Sequence, residues 1–160
     1  MTPPSLLQPQ QQPIRWPRPT LEAGYRHSAG LRTDGTVVAA GENKYGQCDV
    51  DGWHDLVAVA VGNAHTGNSH TVGLKADGTV VAVGWNKYGQ CDVGDWHDIV
   101  AVAAGWRRTI GLRSDGTVVA VGRNDEGQCD VLGWRHIVAV TAGDWHTVGL
   151  RSDGTVGLSP

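Results

Sequence analysis

Short apolar runs alternate with polar residues along the chain, and glycine or Asp-Gly pairs separate the runs. Residues 147–156 hold two such alternations on either side of Asp153-Gly154, whereas residues 99–104 are apolar throughout. Alternation is typical of half-buried β-strands, and a short continuous apolar run is typical of a strand buried on both faces. Because apolar residues do not recur at a spacing of 3.6, the pattern predicts strands rather than helices.

The pattern repeats at a fixed period. Residues 73–110 and 111–148 are each 38 residues long, align without a gap and are identical at most positions. Residues 30–72 form the same unit with five extra residues around 62–69, and residues 149–160 begin a further, partial copy. Three to four short strands per unit are typical of a β-propeller blade. We therefore predict an all-β fold of about four blades, built from short antiparallel strands and forming a partial (open or fragmentary) propeller.

Each unit is expected to contain a hairpin at its Asp-Gly pair. The pairs are Asp34-Gly35, Asp77-Gly78, Asp115-Gly116 and Asp153-Gly154. Asp-Gly favours a type I′ turn, in which both central residues have positive φ. The repeated segment Gly-Gln-Cys-Asp-Val, at 46–50, 89–93 and 127–131, is the weakest strand candidate. With this segment included, we predict four strands per unit.

Composition separates the N-terminus from the repeats. Residues 1–19 are rich in Pro and Gln and lack the apolar residues of a core, so we predict a disordered segment followed by a repeat array over residues 20–160. The net charge of −3 gives no broad attraction for nucleic acid or anionic lipid. No apolar run has the length of a signal peptide or a membrane span. We expect a cytoplasmic protein without a nucleic-acid or membrane partner, or a secreted one if an upstream segment is missing.

Residues that recur in every unit are interpreted as architecture. We expect the tryptophans to be wedges between blades, the histidines to hydrogen-bond a neighbouring blade, and the aspartates to accept backbone N–H groups in a turn. The cysteines are expected to be buried thiols, because an odd count with one cysteine per blade does not suit disulfides. These residues are Trp53, Trp96 and Trp134; His27, His70 and His146; Asp49, Asp92 and Asp130; and Cys48, Cys91 and Cys129. The histidine spacing follows the repeat, so no metal or cofactor is expected.

Binding is expected where the units differ, on loops held by the strands. Exposed aromatic and arginine side chains at such positions are typical interface anchors, although ordinary surface drift among repeats explains the variation equally well. The candidates are Glu42, Tyr45, Trp85, Tyr88, Trp106, Arg107, Arg123, Arg135 and Trp145. No nucleophile elbow, phosphate loop or metalloprotease motif occurs, so we do not expect an enzyme.

Two runs resemble a known repeat family. Residues 140–150, Val-Thr-Ala-Gly-Asp-Trp-His-Thr-Val-Gly-Leu, resemble the signature of the regulator of chromosome condensation repeat, and residues 122–128, Gly-Arg-Asn-Asp-Glu-Gly-Gln, resemble its Gly-Asn loop. The resemblance extends over residues 21–156 and is of the short, bacterial type. Arg108 departs from it, since the other copies have histidine there. The resemblance implies a propeller, and because members usually close rings of seven blades, it also implies that this chain is an arc or a fragment.

The same resemblance implies a non-catalytic binding scaffold whose loops contact a protein partner of unknown identity. One alternative is a guanine-nucleotide exchange factor for a small GTPase. Another is a tryptophan-based sensor like the plant ultraviolet-B photoreceptor, which uses Gly-Trp-Arg-His-Thr motifs that residues 105–109 nearly match. A single near match predicts no tryptophan cluster across blades. The open ends of an arc predict self-association.

Overall fold

The computed structural model describes residues 21–159, which form twelve β-strands in four three-stranded antiparallel sheets. The strands are β1 (Leu21–Ala23), β2 (His27–Leu31), β3 (Val37–Gly41), β4 (Leu56–Val61), β5 (His70–Lys75), β6 (Val80–Gly84), β7 (Ile99–Gly105), β8 (Arg108–Arg113), β9 (Val118–Gly122), β10 (Ile137–Ala142), β11 (Thr147–Arg151) and β12 (Val156–Ser159). Each sheet is one blade, so blades 1 to 4 begin at β1, β4, β7 and β10. The predicted all-β partial propeller of about four blades is confirmed, whereas segment 1–19 lies outside the described residues.

The prediction of a fourth strand in each blade is wrong, because Gly-Gln-Cys-Asp-Val forms a turn. Asn43 organises the first of these turns: its Oδ1 accepts from Cys48 N at 2.7 Å, and its Nδ2 donates to Asp49 Oδ1 at 2.7 Å. Gln47 Oε1 accepts from Tyr45 N at 2.9 Å. The same bonds recur in the next two units. Side chains therefore bind the backbone groups that a strand would need.

These turns also correct the role predicted for the repeated aspartates. Asp49 Oδ1 accepts from the side-chain amide of an asparagine, and Asp92 and Asp130 do the same. The backbone N–H of the turn goes to the asparagine oxygen instead. The prediction that these aspartates accept backbone donors is therefore wrong.

All four Asp-Gly pairs lie in hairpin loops, as predicted, but the predicted turn type is wrong. Arg32 N donates to Thr36 O at 2.8 Å and Gly35 N to Arg32 O at 3.0 Å, which closes a three-residue loop. Gly35 has a φ of 81°, whereas Asp34 is not among the residues with positive φ. This is a type I turn followed by a left-handed glycine. Asp34 Oδ1 accepts from the Thr36 hydroxyl and the Thr36 N–H, which lowers the pKa of Asp34.

The first strand of each blade lies innermost. Residues of β1, β4, β7 and β10 together line one cavity of about 290 Å³. Its walls are mostly Val and Ala, and Glu22 is the acidic side chain among its lining residues. Burial raises the pKa of Glu22.

Among residues 21–159 there is no helix long and apolar enough to cross a membrane.

The apolar core lies between blades rather than within them. Ala29 and Val37 of blade 1 pack with Leu56 and Val59 of blade 2, and two similar clusters join blades 2 to 3 and 3 to 4. A repeated tryptophan belongs to each cluster; Trp96 and Trp134 are buried and Trp53 is half-buried. The predicted wedge role of these tryptophans is confirmed.

The outer faces of the end blades are apolar and exposed. Leu158 in blade 4 is 67% exposed and Leu21 in blade 1 is 73% exposed. Leu150 and Val156 are also exposed, although their counterparts in blade 2, Leu74 and Val80, lie in the core between blades 2 and 3. The side chains that seal an interior interface are therefore open to solvent at both ends of the arc.

Candidate functional site

The repeated histidines join neighbouring blades, as predicted for His27 and His70. Nε2 of His70 lies 2.8 Å from Thr109 Oγ1, and His27 meets Thr71 in the same way. Thr109 Oγ1 donates its only hydrogen to Gln90 O at 2.7 Å, so His70 must donate from Nε2. Burial lowers the pKa of His70 to about 4, helped by the nearby imidazole of His27. The ring is therefore neutral and structural.

Arg108 performs this role at the third interface. Its Nε donates to Thr147 Oγ1 at 3.0 Å, and its guanidinium also bonds the carbonyl oxygens of Gly143, Asp144 and His146. His146, at the equivalent position of blade 4, is exposed, because no blade follows β12 within the described residues. That His146 bonds a neighbouring blade stays a prediction, since the structure describes no blade beyond β12.

The three cysteines are free thiols, but the prediction that they are buried is wrong, since each is half-buried. Each sulfur lies near the carbonyl oxygen of the residue six positions earlier, for example Cys129 Sγ at 3.3 Å from Arg123 O. Desolvation raises the pKa of Cys91 to about 12 and that of Cys129 to about 11. Both thiols are therefore protonated at neutral pH and poorly nucleophilic.

Most of the candidate binding residues meet on one rim of the arc. We call this group the aromatic ladder; it consists of Tyr45, Trp85, Tyr88, Trp106, Arg107, Arg123 and Trp145. Two kinds of loop supply it: those that follow the third strand of a blade, after Gly41, Gly84 and Gly122, and the turns that follow the first strand. Since the first and third strands of a blade run parallel, both kinds of loop emerge at the same rim.

The rings form two groups of contacts, one of Tyr45, Trp85 and Tyr88 and the other of Trp106 and Trp145. Tyr45 and Trp85 lie 6.4 Å apart between centroids, Trp85 and Tyr88 5.5 Å, and Trp106 and Trp145 4.5 Å, all in edge-to-face geometry. Trp145 is 54% exposed, and the other rings are half-buried. The prediction that no tryptophan cluster spans the blades is wrong for one pair, because Trp106 of blade 3 contacts Trp145 of blade 4. Trp85 is linked to Trp106 only through Arg107.

Two arginines fill the gaps between the rings. The guanidinium carbon of Arg107 lies 4.2 Å from the centroid of Trp106 and 4.9 Å from that of Trp85. That of Arg123 lies 4.9 Å from Trp106 and 5.2 Å from Trp145. Such contacts are favourable because the ring face carries partial negative charge. Tryptophan and arginine therefore alternate along the rim in the order Trp85, Arg107, Trp106, Arg123, Trp145.

The other two candidates do not contact the ladder, although Glu42 lies in the loop after β3 at the same rim. Glu42 pairs with Arg26, Oε2 to Nη1 at 3.5 Å. Arg135 precedes β10, at the rim opposite Trp145, and donates to the carbonyl oxygens of Leu132 and Trp134. The structure thus brings together seven of the predicted residues and leaves two elsewhere.

Sequence reasoning missed the contacts of the inserted loop after β4. His65 Nε2 lies 3.5 Å from Asp144 Oδ2, and Asn63 Nδ2 lies 3.4 Å from Asp144 Oδ1. His65 also packs against Tyr25, with centroids 4.9 Å apart. The five extra residues of this unit were the signal in the sequence that could have pointed to these contacts.

Within residues 21–159, no group of three or more His, Cys, Asp or Glu side chains is placed to hold a metal ion.

Comparison with solved structures shows the same fold in longer proteins. The chain is similar to yeast RCC1 (Prp20), solved with Kap60 bound to it (TM-score 0.70, 20% identity, 86% of this chain and 42% of that one). It is also similar to human WBSCR16 (TM-score 0.70, 21% identity, 86% and 46%). A third similar structure is the ectodomain of the Physcomitrella patens receptor kinase CR4 (TM-score 0.68, 19% identity, 87% and 40%). The chain spans less than half the length of each.

Comparison of sequences identifies the repeats. No curated protein was found to match the chain. The family model of the regulator of chromosome condensation (RCC1) repeat matches residues 20–47, 56–90 and 99–128, which together exceed half of the chain. These matches coincide with blades 1 to 3 and the loops that carry much of the ladder. The chain therefore belongs to the regulator of chromosome condensation (RCC1) repeat family.

Proposed function

We propose that the protein is a non-catalytic scaffold that binds a protein partner through the aromatic ladder. The observation that carries the proposal is the alternation of tryptophan and arginine across three blades on one rim. Tryptophan, tyrosine and arginine are the residues that most often dominate the energy of protein interfaces. The blades hold these side chains in place, so little conformational entropy is lost when a partner binds.

The family also supports a protein partner. The yeast RCC1 structure contains Kap60 bound to that protein. Nucleotide exchange on a small GTPase stays a prediction. The chain is only 20% identical to yeast RCC1, and such an identity supports a shared fold but not a shared activity.

The test is affinity capture with the full chain as bait, comparing wild type with Trp145→Ala and Trp106→Ala. Leu132→Ala is the matched control, because Leu132 is 84% exposed and lies outside the ladder. We expect the wild type and the control to retain the same proteins, and the two tryptophan variants to lose them. Retention of the same proteins by all four chains would place the interface elsewhere on the molecule.

A second candidate is ultraviolet-B sensing, which the contact between Trp106 and Trp145 favours. Their centroids lie 4.5 Å apart, and the guanidinium of Arg123 packs on both rings. Light absorbed by either indole therefore excites a ring that contacts a second indole and a positively charged group. The test is irradiation at about 290 nm followed by size-exclusion chromatography. Sensing requires a light-dependent change in elution that Trp106→Phe abolishes, and identical elution with and without light excludes it.

A further inference from the structure

We propose that Arg107 is the receptor for one carboxylate of the bound partner, so that the ladder recognises a peptide segment that presents a carboxylate. This inference rests on the proposed scaffold function and names the chemistry of its partner. The ladder supplies apolar surface, and Arg107 supplies the charge that selects among peptides.

The two arginines of the ladder differ in their charge partners. Arg123 Nε donates to Asp125 Oδ2 at 2.7 Å, so its positive charge is already paired. Within residues 21–159, none of the ion pairs involves Arg107. Its one side-chain hydrogen bond is from Nη1 to the Tyr88 hydroxyl at 3.3 Å, and its buried Nε has no partner. Because Nε is buried, the donors of Arg107 that are left for a ligand are those of Nη1 and Nη2, and its charge is unpaired.

Its neighbours hold this guanidinium in a fixed orientation. The rings of Trp106 and Trp85 lie within 5 Å of its central carbon, and Tyr88 lies at 5.4 Å. Aromatic packing covers the flat faces of a guanidinium and leaves the N–H groups at its edge to bind a ligand. An arginine oriented in this way loses little freedom on binding a planar carboxylate.

The backbone at Arg107 is also unusual. Its φ is 65°, in the left-handed region that side chains other than glycine rarely adopt. Arg26 and Trp145 hold the same position in the turns of blades 1 and 4, and neither has a positive φ. The strained conformation is therefore not a requirement of the fold. It occurs at the residue whose side chain lies between Trp85 and Trp106.

A single carboxylate fits these observations better than a nucleic-acid backbone. Nucleic acids bind through several phosphate contacts and favour basic surfaces, whereas this chain has a net charge of −3. One planar acid can come from an Asp or Glu side chain or from the C-terminus of a peptide, and the experiment separates the two sources.

The test is isothermal titration of the full chain with four compounds at low salt. Acetyl-hexaglutamate amide offers side-chain carboxylates only, acetyl-hexaserine acid offers a C-terminal carboxylate only, acetyl-hexaserine amide offers neither, and a dodecamer of deoxythymidine offers phosphates. We expect one of the two acids to bind and the neutral peptide not to bind. Binding of hexaglutamate assigns Arg107 to an acidic side chain, and binding of hexaserine acid assigns it to a C-terminus.

Three variants test the role of Arg107 itself. Arg107→Gly removes the guanidinium and suits the left-handed backbone, and Arg107→Lys keeps the charge but loses the planar fork. Arg32→Lys is the control, since Arg32 is exposed at the opposite rim. We expect Arg107→Gly to abolish binding, Arg107→Lys to weaken it about tenfold and the control to bind as wild type. A cooperative melt of each variant shows that it is folded.

Several results would overturn the inference. They are equal binding by wild type and Arg107→Gly, no binding of either acid by wild type, and tighter binding of oligothymidine than of both acids. If these occur while the tryptophan variants still lose their captured proteins, the scaffold function stands and only the acidic chemistry is wrong. If capture does not depend on the tryptophans, the scaffold proposal fails by itself.

Discussion

One threonine hydroxyl joins three segments of the chain at each interface between blades 2, 3 and 4. Thr109 Oγ1 accepts from His70 of blade 2 and donates to Gln90 O in the loop before β7, and Thr147 makes the matching bonds with Arg108 and Gln128. The hydroxyl, the histidine and the arginine are fully buried. A buried polar group that loses its partner costs more than the bond itself contributes, so this small side chain has a large effect on stability.

Thr109→Val tests this at nearly constant volume. The substitution leaves His70 Nε2 and Gln90 O without a partner, so we expect the free energy of unfolding to fall by about 2–4 kcal/mol. Thr109→Ser keeps the hydroxyl and should lose less than half as much. Urea unfolding of the three chains gives the comparison. Equal stability of the valine and serine variants would mean that the hydroxyl bonds contribute nothing.

The low pKa of His70 predicts a stability that depends on pH. In the folded chain the pKa is about 4, below the ordinary 6.5, so between these values the unfolded chain binds the extra proton. The free energy of unfolding should therefore be constant above pH 6.5 and fall as the pH drops towards 4, by on the order of 3 kcal/mol. Burial lowers the pKa of His27 in the same direction.

Urea unfolding at pH 7.0, 5.5 and 4.5 measures this dependence. His70→Gln removes the titrating group but keeps an N–H donor, so its stability should fall less steeply with pH than that of the wild type. His97→Gln is the control, because His97 is exposed and pairs only with the adjacent Asp98. An unchanged pH slope in His70→Gln would show that His70 does not titrate in this range.

At the scale of elements, each wedge tryptophan depends on a glycine in the middle strand of its blade. A Cβ at Gly111 in β8 would lie 2.7 Å from Trp96 Cζ3. A Cβ at Gly73 would lie 2.9 Å from Trp53 Cζ3, and one at Gly149 would lie 2.6 Å from Trp134 Cζ3. The strand has no side chain there because the indole fills the space. Tryptophan and glycine thus form one packing unit between a loop and a strand.

Gly111→Ala should therefore destabilise the protein by about 1–3 kcal/mol, since the added methyl forces Trp96 out of the core. Gly94→Ala is the matched control: a Cβ at Gly94 meets no atom within 4 Å, and Gly94 has no positive φ. Thermal or urea unfolding of both variants decides. A loss of stability in the control equal to that in Gly111→Ala would mean that contact with the indole is not the cause.

The sequence predicted the hairpins, the blade count and the wedge tryptophans, because all three follow from periodicity. It did not predict that Gly-Gln-Cys-Asp-Val is a turn. That depends on Asn43 and its counterparts, whose side chains compete with a strand for backbone groups, and no alternation of polar and apolar residues reports such competition. The type I′ turn was wrong for a similar reason, since the bond between Asp34 and Thr36 fixes the aspartate.

At the scale of the whole molecule, the sequence did not predict that the ladder residues lie together. Trp85 and Arg123 were found at one variable position, and Trp106 and Trp145 in a different loop, so nothing in the sequence placed them together. Their contact depends on the fact that neighbouring blades bring different loops to the same rim. Glu42 and Arg135 also vary between units, but they lie outside the ladder. Variation between units does not tell which residues lie close together in the structure.

The end faces predict that the 160-residue chain self-associates. Leu158 and Leu21 are exposed where equivalent residues of interior blades are buried, so the outer face of blade 4 on one copy can cover that of blade 1 on another. Sedimentation equilibrium at micromolar concentration should show species larger than a monomer. Leu158→Lys should shift the chain towards monomer, and Leu132→Lys, outside both end faces, should not. A monomeric wild type would contradict the prediction.

The contacts of Arg108 affect which blades pack against each other during folding. Blades with similar sequences and similar apolar faces are able to stack on the wrong neighbour during folding. The guanidinium of Arg108 bonds Thr147 together with three carbonyl oxygens of the turn after β10, whereas His70 makes a single side-chain bond across its interface. If blade 3 docked elsewhere, it would bury that charge among fewer acceptors, at a high energetic cost. Arg108, which stands where the other units have histidine, thus favours the pairing of blade 3 with blade 4 over other pairings.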